Sequence, residues 1–305
     1  MEFQKLNGLG NDFVFFDNMD GSIELSEEQV KEICDRHFGV GADGVILVNR
    51  SPRKECAAYM HYINSDGTLA QMCGNGVRCF AKYLVDNGIV DPSDGELVAD
   101  TLAGPKSITF SVDSDGRLEQ ATVDMGAPIF EPGDVPVDAE ASLTVADSGP
   151  CAANIPISSP WGEFEFTMVS MGNPHAICFI DDWNELPDSL FKDSANKSID
   201  TFDIDPIGAF YESNPVFPEK SNIEFVEVSD DGSLRMRVYE RGCGETLACG
   251  TGACATRVAS AITGRSAESG PVRLKGGDLL IEWAPGESVM MTGPAMHSFS
   301  GNWEL

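Results

Sequence analysis

Two cysteines stand in the same local context. Cys73 opens C-G-N-G, Cys249 opens C-G-T-G, and each is followed by a stretch without proline, V-R-C-F-A-K-Y-L-V-D-N or A-C-A-T-R-V-A-S-A-I-T. The composition of both stretches suits a helix packed inside a domain. A cysteine just before a helix, followed by glycines that leave backbone N–H groups accessible, feels the positive end of the helix dipole, which stabilises its thiolate. The same N–H groups form an anion site, so a carboxylate would be held between Gly74, Asn75, Gly250 and Thr251. Two such helix starts facing each other would place one thiol on either side of a bound carbon, the geometry that stereoinversion requires. One thiolate removes the proton α to the carboxylate, and the second thiol returns a proton to the opposite face. A single C-G-x-G is a weak signal, because a cytosolic cysteine is more often an inert core side chain; two in matching contexts carry far more. Cys34, Cys56, Cys79, Cys151, Cys178 and Cys254 lack that context and read as packing residues, while Cys243 lies in the Gly-rich turn before Cys249 with no counterpart in the first half.

The elements that must position these thiols are written twice. Residues 57 to 64, A-A-Y-M-H-Y-I-N, and 234 to 240, L-R-M-R-V-Y-E, read as strands. Asn64 lies nine positions before Cys73, and Glu240 nine before Cys249. Gly88 and Gly264 both fall fifteen residues after their cysteine, where a left-handed helix cap is expected. A strand hairpin then follows in each half. Upstream, L-G-N-D-F-V-F-F at 9 to 16 matches M-G-N-P-H-A-I-C-F-I at 171 to 180 as Gly-Asn turns entering apolar strands. The Pro-rich stretch 128 to 160 places the junction near residue 125. The expected fold is therefore α+β, two pseudo-symmetric domains spanning 1–125 and 126–293, each a mixed sheet or barrel wrapped around a central helix.

Composition narrows the function classes. With 305 residues, 42% of them hydrophobic, the chain can bury a substantial core and divide into two domains. No apolar run is long enough to span a bilayer and the N-terminus lacks a signal-peptide pattern, so a cytoplasmic location is expected. Nine cysteines without a C-x-x-C pair fit reduced thiols better than a disulfide framework or a zinc site. A net charge of −29 repels phosphate backbones and anionic lipid, which argues against nucleic-acid and membrane partners.

Four segments carry a family resemblance: N-G-L-G-N-D-F at 7 to 13, M-C-G-N-G-V-R-C at 72 to 79, S-M-G-N-P-H at 170 to 175, and Y-E-R-G-C-G-E-T-L-A-C-G-T-G-A-C at 239 to 254. In order and in span over nearly the whole chain, they resemble the signatures of the diaminopimelate epimerase family. The resemblance implies interconversion of LL- and meso-diaminopimelate without pyridoxal phosphate, metal or any other cofactor. It implies that Cys73 and Cys249 are the two acid/bases and that His175 and Glu240 tune the thiols. Asn11, Asn64, Asn173, Asn222 and Arg241 would bind the distal amino-acid end, with Glu240 also at the substrate; Gly74, Asn75, Gly250 and Thr251 would bind the reacting carboxylate. It further implies a homodimer and a last strand, about 294–305, returning to the first domain. Convergent amides and a bidentate cation are what a distal group bearing both charges needs. Gly44 departs from the pattern, since some relatives carry Gln there, and no substrate contact is expected at it.

G-V-G-A-D-G at 39 to 44 fits a dinucleotide spacing but leads into the strand V-I-L-V instead of a helix. A turn accounts for it better: Ser26 and Gln29 form a capping box, a helix runs to about Arg36, and Gly39 ends it. No Walker A, G-x-S-x-G or H-E-x-x-H sequence is present. The rival readings are a racemase or isomerase of another acid on the same scaffold, a silent amino-acid binder, and a thiol redox protein using Cys73 and Cys249.

Overall fold

The computed structural model describes residues 1–70 and 72–304. Leu305, the end of the expected returning strand, lies outside the described residues, as does Gln71. The chain divides into two compact units, Met1–Asp124 with Thr292–Leu305, and Met125–Met291. Both are α+β.

In the first unit the elements are β1 (Glu2–Gly8), β2 (Asn11–Asn18), α1 (Glu27–Cys34), β3 (Gly44–Asn49), β4 (Ala58–Asn64), α2 (Gly74–Asp86), β5 (Glu96–Asp100), β6 (Lys106–Val112) and β7 (Leu118–Asp124). The β1–β2 pair is antiparallel, β2–β3 parallel, β3–β4 antiparallel, β4–β5 parallel, and β5–β6 and β6–β7 antiparallel. The chain's last strand, Met296–Asn302, returns to pair antiparallel with β1. This curved sheet surrounds α2, which touches β1, β2, β4, β5 and β7. Every residue of α2 from Gly74 to Val85 is buried, as a helix enclosed by its sheet requires, although the helix carries Asn75, Arg78 and Lys82. Its two buried cations are satisfied: Lys82 donates to the Leu118 carbonyl at 2.7 Å and pairs with Asp86 at 2.9 Å, and Arg78 Nε donates to Pro294 O at 3.2 Å.

The second unit continues with a small antiparallel pair, β8 (Leu143–Val145) and β9 (Gly149–Cys151), and then β10 (Ile155–Ser159), β11 (Gly162–Ser170) and β12 (Pro174–Phe179). After them come α3 (Ile204–Glu212), β13 (Asn222–Val228), β14 (Leu234–Glu240), β15 (Gly244–Glu245), α4 (Gly250–Ile262), β16 (Ser269–Leu274) and β17 (Gly277–Glu282), and then β18 (Met290–Pro294), whose residues from Thr292 on belong to the first unit. Its pairings repeat those of the first unit: β11–β12 antiparallel, β12–β13 parallel, β13–β14 antiparallel, β14–β16 parallel and β16–β17 antiparallel. Here α4 occupies the place of α2, packed on β11 to β14, β16 and β17. Both central helices stop alike, with Gly88 at φ 71° and Gly264 at φ 70°, a conformation that a side chain resists.

The shared register makes positions of the two units comparable. Phe13 lies opposite Gly44, and Gly44 opposite Asn64. His175 lies opposite Asn222, and extending the Ile223–Tyr239 pairing by one residue sets Asn222 opposite Glu240.

The Ser26–Gln29 capping box is present, but the expected end of α1 needs correction. The helix stops at Cys34, because the Asp35 carboxylate accepts from the N–H groups of His37 and Phe38 and draws the chain into a turn. Gly39 is not in the left-handed region; a Cβ there would fall 2.0 Å from Glu32 O, so its role is close backbone packing.

Candidate active site

In the first unit the site begins where β2 starts, β4 ends and α2 starts. The Asn11 amide oxygen accepts from the Cys73 thiol at 3.4 Å and from Asn75 Nδ2 at 3.2 Å. Its Nδ2 donates to Asp43 Oδ2 at 2.7 Å. Asp43 is itself held by Arg36 at 2.7 Å, and Arg36 also grips Asp12 with two nitrogens. Burial pushes the Asp12 carboxyl up, but Arg36 and Lys5 outweigh it and keep it below the usual carboxylate range. This chain of charged anchors fixes which end of the Asn11 amide meets the thiol. Asn75 is fixed in the same way, with Arg78 donating to its Oδ1 at 3.0 Å. Asn64 donates to Thr68 Oγ1 at 3.1 Å and is half-buried. Thus Asn11, Asn64, Cys73, Gly74 and Asn75 fall at one end of the first unit, while Gly44, next to Asn64, is covered by the Tyr62 ring.

The second unit assembles its counterparts around the start of α4. Cys249 is the N-cap of that helix, and the Gly252 N–H donates to its Sγ at 3.4 Å, with Thr251 Oγ1 3.5 Å away. The N–H groups of Gly250 and Thr251, in the first turn, have no intrahelical acceptor. Beneath the turn, His175 Nδ1 meets Glu224 Oε1 at 2.6 Å, and its Nε2 meets Asn173 Oδ1 at 3.2 Å. Asn222 is a staple: its Nδ2 donates to Pro174 O at 2.8 Å and its Oδ1 accepts from Arg241 N at 3.0 Å. This fixes the turn after β14, in which Glu240 accepts a hydrogen bond from Thr246 and the exposed Arg241 donates to Glu219 O at 3.1 Å.

The helix start is not the only influence on Cys249, and the Gly252 N–H favours its thiolate as expected of a helix start. Burial, with the Glu240 and Glu224 carboxylates adding to it, pushes this thiol well above the ordinary range, and the contacts from Thr251 and the Gly252 N–H only oppose that. Glu224 is also raised, first by burial, against the pull of His175 and the Ala176 N–H. The sequence reading missed Glu224, Asp43 and Arg36. An E inside the apolar strand N-I-E-F-V-E-V was the available signal for Glu224. Of the cysteines read as packing residues, all six are buried, and burial pushes Cys34, Cys79 and Cys151 up to about 12. Cys243 is exposed. Among the described residues no cluster of His, Cys, Asp and Glu has the form of a metal site.

The family model for diaminopimelate epimerase matches residues 3–131 and 167–298. The diaminopimelate epimerase of Acetivibrio thermocellus is 41% identical over 100% of this chain and 99% of its own length. That of Desulfitobacterium hafniense is 43% identical over 99% of this chain and 97% of its own. Among solved structures, a probable proline racemase from Agrobacterium radiobacter shares the fold at TM-score 0.65 and 16% identity, covering 100% of this chain and 93% of that one. A hydroxyproline epimerase from Agrobacterium vitis does so at TM-score 0.66 and 15% identity, covering 99% and 91%. Two units of matching strand order, each with a Cys-led helix at its centre, agree with these likenesses, and the chain belongs to the diaminopimelate epimerase family.

Proposed function

We propose that this protein interconverts LL- and meso-2,6-diaminopimelate by two-base proton transfer, with Cys73 and Cys249 as acid and base. The carrying observation is the duplicated Cys-led helix start, in a chain that full-length relatives named for this reaction match at about 40% identity. Inversion assigns one thiol to each face of the α-carbon. One thiolate takes the α-proton; the electron pair left on carbon spreads into the carboxylate, where the helix N-termini stabilise it. The other thiol then delivers its proton to the opposite face, so the two sulfurs exchange charge in each turnover. The raised thiol of Cys249 suits it to wait as the proton donor, and ionisation follows only when a proton has been delivered.

Asn11, Asn64, Asn173, Asn222, Glu240 and Arg241 hold the distal amino-acid end in this reading, and Gly74, Asn75, Gly250 and Thr251 the reacting carboxylate. The reaction belongs to the synthesis of lysine and peptidoglycan precursors and needs no pyridoxal phosphate. We place the enzyme in the cytoplasm as a homodimer without nucleic-acid or membrane partners; among the described residues no helix is long and apolar enough to cross a membrane. The test is exchange in heavy water: purified protein with LL-diaminopimelate and no added cofactor should incorporate solvent deuterium at the α-carbon as meso isomer forms. Exchange with L-proline instead, or a retained α-hydrogen, would overturn the assignment.

A further inference from the structure

Glu224 stands apart from the other acidic residues of the chain. Its side chain and that of His175 are both wholly buried, and no hydrogen bond reaches Glu224 Oε2. Oε1 is in hydrogen-bond contact with His175 Nδ1 and lies 2.7 Å from where a Cβ on Gly252 would sit, directly under the first turn of α4. The fold does not ask for this polarity. In the register shared by the two units, His175 corresponds to Phe13, and Glu224, two residues beyond Asn222, corresponds to Ile46, two beyond Gly44. Phe13 and Ile46 are fully buried apolar residues, and Phe13 lies under the equivalent helix start, its Cζ 3.5 Å from where a Cβ on Gly76 would sit. A buried polar pair where the repeat offers an apolar solution points to chemistry, because burying polar groups incompletely satisfied is destabilising.

The hydrogen positions follow from the partners. His175 Nε2 faces the oxygen of the Asn173 amide, so Nε2 must carry a hydrogen. Asn173 follows the turn glycine Gly172, at φ 90°, and is half-buried. Its oxygen is engaged by the imidazole, which leaves the NH2 group as the end free to meet a ligand. With Nε2–H fixed, one further proton lies between Nδ1 and Oε1 at 2.6 Å, whichever atom holds it, and the pair is uncharged overall. Charged groups felt at the pair include the Glu240 carboxylate and, through Glu224, the Cys249 sulfur, each anionic when ionised, and the positive end of α4.

We propose that Glu224 is a positioning residue: by sharing one proton with His175 Nδ1 it keeps a hydrogen on Nε2, and that hydrogen holds the Asn173 amide with its NH2 turned toward the carboxylate of an amino-acid ligand. This rests on the reading of Asn173 as a substrate contact in the proposed function. Without the relay, Asn173 can rotate to donate to a bare Nε2, and its oxygen then faces the substrate carboxylate.

Two variants and one spectrum test it. Glu224→Gln keeps a donor to Nδ1, so KM for LL-diaminopimelate should stay within about twofold of wild type; Glu224→Leu removes the partner, and KM should rise about tenfold or more while kcat changes less. Equal impairment of the two variants, or an unchanged KM in Glu224→Leu, overturns the proposal. If Glu224→Leu does not fold, the decision falls to nitrogen-15 spectra of histidine-labelled wild type and Glu224→Gln. Both should show the His175 hydrogen on Nε2, and a ring bare at Nε2 in either sinks the idea. Wild-type protein inactive on diaminopimelate would defeat the proposed function instead, and the spectra would still report on the relay.

Discussion

Adding one methyl group at Gly252 should damage the second unit far more than the same change at the equivalent Gly76. A Cβ on Gly252 would lie 2.7 Å from Glu224 Oε1 and 3.3 Å from Cys249 Sγ. Neither atom is at liberty to move: the carboxylate is buried and bonded to His175, and the sulfur caps the helix. Relief requires a shift of about half an ångström, and overpacking of this kind costs about 1–3 kcal/mol. At Gly76 the nearest atom is Met60 Cε at 3.0 Å, the tip of a flexible side chain, followed by Phe13 Cζ at 3.5 Å. The helix-propensity gain from Gly to Ala, up to ~1 kcal/mol, offsets most of that strain. The same gain applies at Gly252 and leaves about 1 kcal/mol of net loss there, so thermal unfolding should show Gly252→Ala lowered by roughly 2–4 °C and Gly76→Ala by no more than about 1 °C. Epimerisation should fall about tenfold or more in Gly252→Ala, since the methyl displaces the thiol itself. Equal losses in the two variants, or a larger one at Gly76, would refute the argument.

Either Cys73→Ala or Cys249→Ala should abolish epimerisation in both directions, with the double variant little worse than either single one in the same assay, because a two-base route broken once is broken entirely. Alkylation followed by mass spectrometry should leave Cys34, Cys79 and Cys151 unlabelled in the native protein at pH 8, their thiols being pushed up to about 12. Labelling of Cys249 needs its thiolate, and a raised thiol means that the thiolate fraction, and so the labelling rate, should still be climbing as pH passes 9. Asn222→Ala should destabilise the protein by ~1–3 kcal/mol in denaturant unfolding and raise KM, as it strands the buried Pro174 carbonyl and frees the partly buried Arg241 N–H. The double variant His175→Phe with Glu224→Ile, copying the first unit, should melt no lower than wild type yet lose most activity.

The duplicated unit was legible because its markers are backbone demands: the Gly-Asn turns, the Cys-led helix starts and the glycines at 88 and 264 each mark a conformation that few residues tolerate. Side chains whose roles depend on partners far along the chain were not legible. Helix α3 is disguised by Pro206 and Gly208, yet Gly208 is what lets it lie on β14, where a Cβ would meet the Tyr239 ring at 2.5 Å. With α3 covering that face, Arg237 is buried although it alternates with apolar residues in L-R-M-R-V-Y-E; it is held by Glu245 at 2.6 Å and by the Ile199 and Phe202 carbonyls. The anchoring of Asn11 by Asp43 and Arg36 likewise spans segments 32 and 24 residues apart or more from their partners in Asn11 and Asp12. A helix start in sequence suggests an activated thiolate, but the depth of burial and the two nearby carboxylates decide the thiol at Cys249, and those are tertiary facts.

The two halves therefore share a fold and differ in electrostatics. In the first unit the thiol is reached by an amide whose far end is tied to a network of Arg36, Lys5, Asp12 and Asp43 near the surface, and the floor under the helix is apolar. In the second unit the floor is His175 and Glu224, and the carboxylates there work against ionisation of the sulfur. Replacing both members of a buried polar pair by apolar residues is often neutral or stabilising, whereas removing one is costly. Phe13 and Ile46 show that this scaffold accepts the apolar solution at the same register positions. Stability alone thus gives no reason to keep His175 and Glu224. Inversion gives one, because it needs one sulfur charged and the other protonated at the start of each turnover, and the carboxylates beside Cys249 work against both sulfurs being ionised together.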